Sequence, residues 1–404
     1  MNTIVLVNVS GPDSAGITKS VTGILGRYDV QILDIGQAVI HDHLSLGLLI
    51  QIPSESVSTP VLKDLLFHLH ERGLQLKFTP ISEDDYEKWV SAQGKERYII
   101  TTLSRNITAK QMQRLTDIIS QNGLNIQAIT RLSGRLSLQS PPKRPRAGVE
   151  FQVRGRPADA LAMRRGFLEI AQELAMDVSF QKENRYRRNR RLICFDMDST
   201  LIQAEVIDEL AKEAGVGEQV IAITESAMRG EIDFNESFRR RVSLLKGLPE
   251  SKLETIANRI ELTEGAEELI STLKSMGLKT AILSGGFTYF GRRLQKQLGI
   301  DYLYANELVI EDQVVSGKVQ EPIINAEQKA AKLQQIAATE GIKLEQVIAV
   351  GDGANDLPML NLAGLGIAFH AKPLVRKQAG HTISNLGLDG ILYLLGVRDR
   401  DIND

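Results

Sequence analysis

The stretch that decides the fold is ICFDMDST, residues 193–200, in which an apolar run ends at two carboxylates, Asp196 and Asp198. Side chains two positions apart share one face of an extended chain, so these two like charges would repel each other. In a poorly hydrated site, the repulsion would drive one carboxylate to protonate unless a bound cation, a shared proton or water offset it. The rest of the chain must therefore supply a partner for this strand end.

From residue 192 onward, short apolar runs alternate with helical patterns, which predicts a doubly wound α/β sheet with parallel strands. The runs are LICF, KTAIL (279–283), VIAV (347–350) and LGIAF (365–369). In such sheets the active site lies at the carboxyl ends of the strands. The polar and glycine residues that follow the first three runs are Asp196 and Asp198, then Ser284, Gly285 and Gly286, and finally Asp352, Asn355 and Asp356.

Together these strand ends predict a cation site beside a phosphate site. Carboxylates at this density suit Mg²⁺, which prefers oxygen ligands. A hydroxyl, free backbone N–H groups and a lysine suit a phosphoryl group, and Lys329 opens the helix before the third strand. Taken singly, each piece has a plainer interpretation: a helix cap at Asp198, a tight turn at SGG, a glycine turn at GDGAND or a surface lysine. Because these pieces occur together, each after a strand, a catalytic site explains them better than separate caps and turns do.

The motifs DMDST, LSGG and GDGANDLPM, with the intervening lysine, resemble those of the haloacid-dehalogenase-like phosphatase superfamily over about residues 190–390. The resemblance implies that Asp196 is the nucleophile and Asp198 the general acid and base. It also implies that Mg²⁺ is held by Asp196, Asp352 and the backbone carbonyl of Asp198. Asp356 would support these ligands without binding the ion directly, or would bind it through a metal-bound water. The expected phosphoryl contacts are Ser284, the N–H of Gly285, Lys329 and Asn355.

The segment between the first two strands of this sheet, about residues 206–262, is expected to form a helical cap. Here the sequence resembles the phosphoserine phosphatases at Glu205, Met228, Phe234 and Arg241. A zwitterionic substrate needs a cation for its carboxylate, an anion for its ammonium group and a lid that excludes water. The resemblance gives these roles to Arg241, Glu205 and the Met–Phe pair. Without it, the arginine run at 239–241 would be a solvated helix face and the Met–Phe pair would be cap core.

The first half of the chain repeats one pattern. Residues 1–82 and 95–182 each show the element order βαββαβ of a ferredoxin-like unit, and LNIQAITRLSG aligns with VQILDIGQAVI at an offset of 94 residues. Residues 183–191 are predicted to link the second unit to a phosphatase domain at 192–404. The two units, with the GPDSAG turn in the first, resemble ACT domains, which sense amino acids in metabolic enzymes. The alternative is a dimerisation or packing module without a ligand.

The loop after the first strand carries the candidate regulatory residues, which are Gly11, Asp13, Ser14 and Gly16. Its glycines let the backbone approach a ligand and the following helix start suits a carboxylate, so L-serine is the expected effector. ACT-like units commonly pair across subunits, and this predicts a homodimer. The insertion LSLQSPPKRPRAG is predicted to be an exposed, mobile loop. ENRYRRNRR (183–191) is predicted to be a linker whose charges are solvated or lie near an acidic neighbour.

Composition excludes several classes of protein. The formal net charge of −2 argues against a nucleic acid or an anionic membrane as the main partner. A single cysteine, Cys194, and the lack of a run long enough to span a bilayer predict a cytoplasmic protein. Two alternatives stay open: a phosphatase of the same mechanism for another small ester such as phosphohomoserine, and an amino-acid sensor with an inactive phosphatase domain. Asp198 argues against the sensor, since a stable phosphoprotein gains nothing from an acid beside its nucleophile.

Overall fold

The structure is a computed structural model that describes residues 3–92 and 96–402, without the side chains of residues 55, 56 and 228. The chain divides into two compact units, residues 1–95 and residues 96–404. Each is described by itself. None of the helices in the described ranges is long and apolar enough to cross a bilayer.

The first unit is a four-stranded antiparallel sheet with two helices. Its elements are β1 (Thr3–Pro12), α1 (Ile17–Gly26), β2 (Gln31–Ile40), β3 (His43–Ile52), α2 (Glu55–His70) and β4 (Gln75–Ile81), and the strand order is β2-β3-β1-β4. Alternate residues of β3, from Leu44 to Ile52, are buried, as expected for a strand with one face against the core. The predicted βαββαβ order is confirmed. A further helix, α3 (Glu83–Ser91), was not predicted and buries no residue. Ser82 caps its N-terminus, where the Ser82 hydroxyl accepts from the N–H of Asp85.

The second unit begins with the same topology. The elements are β5 (Arg97–Ser104), α4 (Ala109–Gln121), β6 (Asn125–Arg131), β7 (Ala147–Arg154), α5 (Ala160–Leu174) and β8 (Asp177–Lys182), and the strand order is β6-β7-β5-β8. The order matches that of the first unit strand for strand, so the predicted repeat is present. We call these two sheets with their helices the first and second ACT-like units.

A six-stranded parallel sheet forms the rest of the second unit. Its strands are β9 (Leu192–Phe195), β10 (Lys279–Phe287), β11 (Tyr302–Asn306), β14 (Val347–Gly351), β15 (Leu365–Phe369) and β16 (His381–Ile383), in the order β11-β10-β9-β14-β15-β16. The intervening helices are α10 (Ala266–Ser275), α11 (Thr288–Leu298), α12 (Ala326–Thr339), α13 (Leu357–Leu362) and α14 (Pro373–Gln378), followed by α15 (Gly390–Leu394) and α16 (Asp399–Ile402). Every residue of β9 is buried, because the strand lies between β10 and β14 and its alternate side chains enter two different apolar clusters. The predicted fold class is confirmed.

The cap leaves the sheet after β9 and returns before α10. It contains α6 (Val206–Ala214), α7 (Gly217–Met228), α8 (Phe234–Ser243) and α9 (Glu250–Arg259). Its two connections run side by side and are joined by a bridge between Ile202 and Leu262. A hairpin that was not predicted, β12 (Leu308–Glu311) and β13 (Val314–Val319), also contacts the cap, where the N–H of Gly247 donates to the carbonyl of Val315 at 2.8 Å. The cap is therefore held at one flank and at its hinge, by which we mean the two connections joined at Ile202 and Leu262.

The second ACT-like unit packs on the phosphatase domain through ion pairs that the sequence did not reveal. Arg144 of the insertion lies 3.4 Å from Glu264 and Arg146 lies 2.8 Å from Glu268. Arg187, in the basic linker, is buried and lies 2.6 Å from Glu150. For the linker, the alternative of an acidic neighbour therefore describes Arg187, whose partner is 37 positions away in the chain, and the partner of Arg146 is 122 positions away. The tip of the insertion is exposed as predicted, with Leu138 99% exposed.

Candidate active site

The carboxyl ends of β9, β10 and β14 meet at one edge of the parallel sheet. Asp196 directly follows β9, and its N–H donates to the carbonyl of Val350 at 2.9 Å, which continues the strand pairing. Only 5% of Asp196 is exposed. The chain then turns sharply, with Ser199 in the left-handed region at φ 55°. Such a conformation is uncommon outside glycine and is found at functional sites, where the surrounding structure enforces it.

Lys329 occupies the centre of this edge. It is fully buried, and its Nζ lies 2.8 Å from Oδ1 of Asp196 and 2.7 Å from Oδ1 of Asp356. Burial opposes the charged form, but the two carboxylates outweigh it and raise the pKa of Lys329 above its ordinary value. The lysine is therefore a fixed positive charge beside Asp196.

Three carboxylates, those of Asp196, Asp352 and Asp356, have oxygens within 4.8 Å of one another. Burial, and then the charge of Asp196, raise the pKa of Asp352 to about 7 and that of Asp356 to about 6. Burial and the mutual repulsion of the carboxylates therefore both disfavour their charged forms. A hard divalent cation would remove the repulsion, and the oxygen donors fit such an ion. Thr200, which sequence reasoning missed, donates its hydroxyl to Oδ1 of Asp352 at 3.2 Å.

The carboxylate of Asp356 belongs to the same cluster as those of Asp196 and Asp352, and its role behind the ion or through a metal-bound water stays a prediction. One oxygen accepts from Lys329 and the other accepts from the N–H of Gly353 at 2.9 Å. Asp356 therefore also fixes the lysine and the turn that carries Asp352.

Asp198 is held on the cap side of Asp196. Its Oδ1 accepts from the N–H of Val206, the first residue of α6, at 3.2 Å. Its Oδ2 lies against Gly286, so closely that a Cβ at Gly286 would overlap it. Burial, and then the charges of Glu205 and Asp196, raise the pKa of Asp198 well above its ordinary value. A carboxyl that retains its proton is suited to act as a general acid.

The end of β10 forms a tight loop on the other side. Ser284 is fully buried, and its Oγ accepts from the N–H of Gly286 at 2.9 Å. Asn306, at the end of β11, donates to the carbonyl of Gly285 at 2.8 Å and accepts from the N–H of Ile324 at 2.7 Å. Sequence reasoning missed Asn306, although a buried polar residue at a strand end is the signal that could have revealed it.

Comparison with known proteins agrees with this geometry. Residues 190–364 match the haloacid dehalogenase-like hydrolase family, and residues 3–79 match an ACT domain. A phosphoserine phosphatase of Mycobacterium tuberculosis is 37% identical over 98% of this chain and 94% of its own length. The chain belongs to the haloacid dehalogenase-like hydrolases. The predicted resemblance is confirmed.

Further relatives of this haloacid dehalogenase-like hydrolase point the same way. A phosphoserine phosphatase of Archaeoglobus fulgidus is 50% identical over 61% of this chain and 72% of its own. A solved family hydrolase of Salmonella enterica serovar Typhi covers 74% of this chain and 98% of its own, with 34% identity and a TM-score of 0.62. A probable phosphoserine phosphatase of Vibrio cholerae, solved without ligand, matches 76% of this chain and 87% of its own, with 34% identity and a TM-score of 0.58.

In this hydrolase the three consecutive arginines of α8 have different surroundings. Arg239 pairs with Glu321 and Arg240 with Glu236, each at 2.7 Å. Among the described residues, Arg241 forms no ion pair, and its one hydrogen bond is a 3.4 Å contact from Nε to the carbonyl of Ser237. Burial lowers its pKa, which the charges of Asp208 and Glu205 partly restore. The solvated-face alternative therefore describes the first two arginines and not the third.

Two more of the predicted cap residues lie at the junction between cap and sheet. Glu205 accepts from the hydroxyl of Ser199 at 2.7 Å, and burial raises its pKa. Phe234 stacks on Phe238 with ring centroids 6.0 Å apart, and its ring edge would lie 3.2 Å from a Cβ at Gly285. Phe234 thus reaches from the cap to the predicted phosphate loop. The side chain of Met228 lies outside the described part of the chain, and Asn355 is half-buried in the turn after β14.

The predicted regulatory loop borders a cavity of about 480 Å³ in the first ACT-like unit. Asp13, Ser14 and Gly16 line it. Gly16 caps α1 in a left-handed conformation at φ 90°, with open space where a side chain would be. Gly11 is not among the lining residues, because its Cα packs against Leu74. Three of the four predicted residues are therefore in a position to contact a ligand.

Proposed function

We propose that this chain hydrolyses O-phospho-L-serine to L-serine and phosphate through an aspartyl-phosphate intermediate, the last step of serine biosynthesis. The observation that carries the choice of substrate is Arg241, a half-buried guanidinium without an ion pair among the described residues, at the same junction as Glu205. A substrate with both a carboxylate and an ammonium group would neutralise both residues. The names of the relatives, phosphoserine phosphatases over nearly the full length, support the same choice.

In the first half-reaction, an oxygen of Asp196 attacks phosphorus as the bond from phosphorus to the serine oxygen breaks. Asp198 gives its proton to that oxygen, so that serine leaves as a neutral alcohol. Lys329, the Ser284 hydroxyl and the N–H of Gly285 donate to the phosphoryl oxygens and stabilise the charge that shifts during transfer. Asn355 orients the phosphoryl group or the nucleophile.

In the second half-reaction, a water attacks the aspartyl-phosphate and Asp198, now ionised, takes its proton. Phosphate then leaves and Asp196 is regenerated. Asp196, Asp352 and the backbone carbonyl of Asp198 would hold Mg²⁺, with Asp356 close enough to take part. The bound ion offsets the charge of the carboxylates and of the phosphoryl oxygens.

The first test is phosphate release from L-phosphoserine and from a panel of other small phosphomonoesters, with Mg²⁺ and with excess chelator. We expect a strong preference for phosphoserine that the chelator abolishes, and no turnover by Asp196→Asn. Hydrolysis of another ester in preference, such as phosphohomoserine, would reject our interpretation of the cap and keep the mechanism. Hydrolysis of no ester would favour the amino-acid sensor with an inactive phosphatase domain.

The role of Arg241 can be separated from catalysis with two substrates. Arg241→Met should raise the KM for phosphoserine at least tenfold and leave that for O-phosphoethanolamine, which lacks the carboxylate, nearly unchanged. Arg240→Met is the matched control, since Arg240 pairs with Glu236 on the exposed side of the same helix. Equal effects of Arg241→Met on both substrates would contradict the assignment.

Three further predictions concern the whole chain: a cytoplasmic location, a homodimer, and L-serine as effector at the loop of Asp13, Ser14 and Gly16. Calorimetry of the full chain should show a serine-binding event that Asp13→Ala removes and Asp196→Asn retains. Sedimentation tests the dimer. An unchanged serine titration in Asp13→Ala would contradict the effector site.

A further inference from the structure

A second cavity, of about 330 Å³, lies where the second ACT-like unit meets the phosphatase domain. One wall is formed by α5 and β8, and the other by α14 and the start of β16. Apolar side chains, including Met163, Phe167 and Phe180, make up most of the first wall. Arg164 lies on the first wall and Arg376 on the second, and none of the described residues that line the cavity is acidic.

Each of these arginines has one buried nitrogen without a hydrogen-bond partner among the described residues. The two nitrogens are Nη2 of Arg164 and Nε of Arg376. Neither residue forms an ion pair with any described residue, although other arginines of this interface do: Arg105 lies 2.8 Å from Glu264, and Arg187 pairs with Glu150. A buried donor without a partner costs about 1–3 kcal/mol, and no acid among the described residues neutralises either guanidinium.

The neighbouring side chains do not supply the missing negative charge. His381 lines the cavity and its Nδ1 lies 2.9 Å from the hydroxyl of Ser179. Burial, and then the positive charges of Arg164 and Arg190, lower the pKa of His381 to about 4, so its ring is neutral at pH 7. The cavity therefore combines two unneutralised cations with an apolar wall.

We propose that this cavity binds a small organic monocarboxylate with an apolar body. The planar guanidinium groups of Arg164 and Arg376 would donate to the carboxylate oxygens, since this is the geometry that arginine matches best. Met163, Phe167 and Phe180 would cover the body of the ligand. A zwitterionic amino acid does not fit, because its ammonium group would face two arginines and no carboxylate. The site is thus separate in chemistry from the amino-acid site predicted for the first ACT-like unit.

The test is calorimetry of the full chain with 4-methylpentanoate. Three comparison ligands dissect the recognition: 4-methylpentanamide lacks the charge, L-leucine adds an ammonium group to the same body, and acetate lacks the apolar body. We expect saturable binding of 4-methylpentanoate, at least tenfold tighter than that of each comparison ligand. No saturable heat with 4-methylpentanoate, or equal affinity for acetate or the amide, overturns the proposal without any need for a variant.

Variants then locate the binding. Arg164→Met and Arg376→Met should each weaken the binding of 4-methylpentanoate at least tenfold. The matched controls are Arg165→Met and Lys377→Met, which remove an exposed charge from the adjacent position of the same helix and should leave the affinity unchanged. Binding that is unaffected by both Arg164→Met and Arg376→Met, or weakened equally by the controls, places the ligand elsewhere and overturns the proposal.

Discussion

Lys329 is tolerated in the interior only because two carboxylates surround it. Its ammonium group lies 2.8 Å from Asp196 and 2.7 Å from Asp356. A lysine buried without such partners would lose its proton, and carboxylates buried without a cation would gain one. The two carboxylates therefore keep Lys329 charged, and the nucleophile predicted at Asp196 contacts a residue more than a hundred positions away in the chain.

Removal of this charge should stop turnover. Lys329→Met leaves Asp196 and Asp356 without their shared cation and removes a donor to the phosphoryl group, so we expect kcat to fall by about 10²–10³-fold or more. Phosphate release measures the loss, and circular dichroism establishes that the variant is folded. Lys332→Met is the control and should retain near-normal turnover. Lys332 is half-buried on the same helix and donates to Gln335. A Lys329→Met enzyme with normal kcat would exclude a role for Lys329 in the transition state.

Gly286 offers a test of Asp198 that leaves the carboxylate itself intact. A methyl group at this position would overlap Oδ2 of Asp198 and Cε of Met197 and would lie 3.1 Å from Oγ of Ser284, so Gly286→Ala should displace the proposed general acid. We expect kcat to fall by about 10²–10⁴-fold, the range associated with acid–base catalysis, while the fold is retained. Gly217→Ala is the control, because a Cβ at Gly217 would meet nothing within 4 Å. Normal kinetics in Gly286→Ala would show that Asp198 has room to move without consequence.

At the scale of elements, sequence reasoning worked where the signal is local. Apolar runs such as VIAV and the residues just after them predicted both the strands and the edge where they meet, because parallel strands of one sheet end on the same side. It failed for the hairpin β12–β13, whose strands are short and weakly patterned. It also missed the partners of Arg146, since Glu268 is 122 positions away and nothing in a charge run shows what it faces. Asn306 was missed for a similar reason, because the carbonyl of Gly285 to which it donates is 21 positions away in the chain.

The hinge of the cap is attached directly to the second ACT-like unit. Arg105, just after β5, donates to both oxygens of Glu264 at 2.8 and 2.9 Å, and Glu264 follows the hinge residue Leu262 by two positions. Loss of this contact should loosen the base of the hinge. In Arg105→Met we expect kcat and KM to change together, by about two- to tenfold, because the cap must open and close in each cycle.

A double-mutant cycle identifies the origin of that effect. Arg105→Met and Glu264→Gln should be non-additive in thermal stability, with a coupling energy of about 1 kcal/mol for a half-exposed ion pair. Arg135→Met, an exposed arginine of the same unit, should change neither kinetics nor stability. Strict additivity of the two substitutions, or an equal kinetic effect of Arg135→Met, would show that the ion pair does not influence the cap.

At the scale of the whole molecule, the contact between the second ACT-like unit and the phosphatase domain should make stability depend on pH. The pKa of His381 in the folded chain, about 4, lies below its ordinary value of 6.5. The folded state therefore binds fewer protons at this site than the unfolded state between these values, and stability is lost as the pH falls from 6.5 towards 4. Asp177, in the same contact, has a pKa raised by burial and acts in the opposite direction, so the total change for the protein does not isolate His381.

The contribution of His381 can be isolated by comparing the stability of the protein with that of His381→Asn, since asparagine can keep the contact with Ser179 but does not titrate. We expect the stability of the protein relative to this variant to decrease by up to about 3 kcal/mol between pH 7 and pH 4, at about 1.4 kcal/mol for each pKa unit. Denaturant midpoints at four pH values measure it, and His70→Asn, at an exposed histidine of α2, is the control. Parallel pH profiles for the protein and His381→Asn would mean that this ring titrates as it does in water, and that the contact between the two parts is open to solvent.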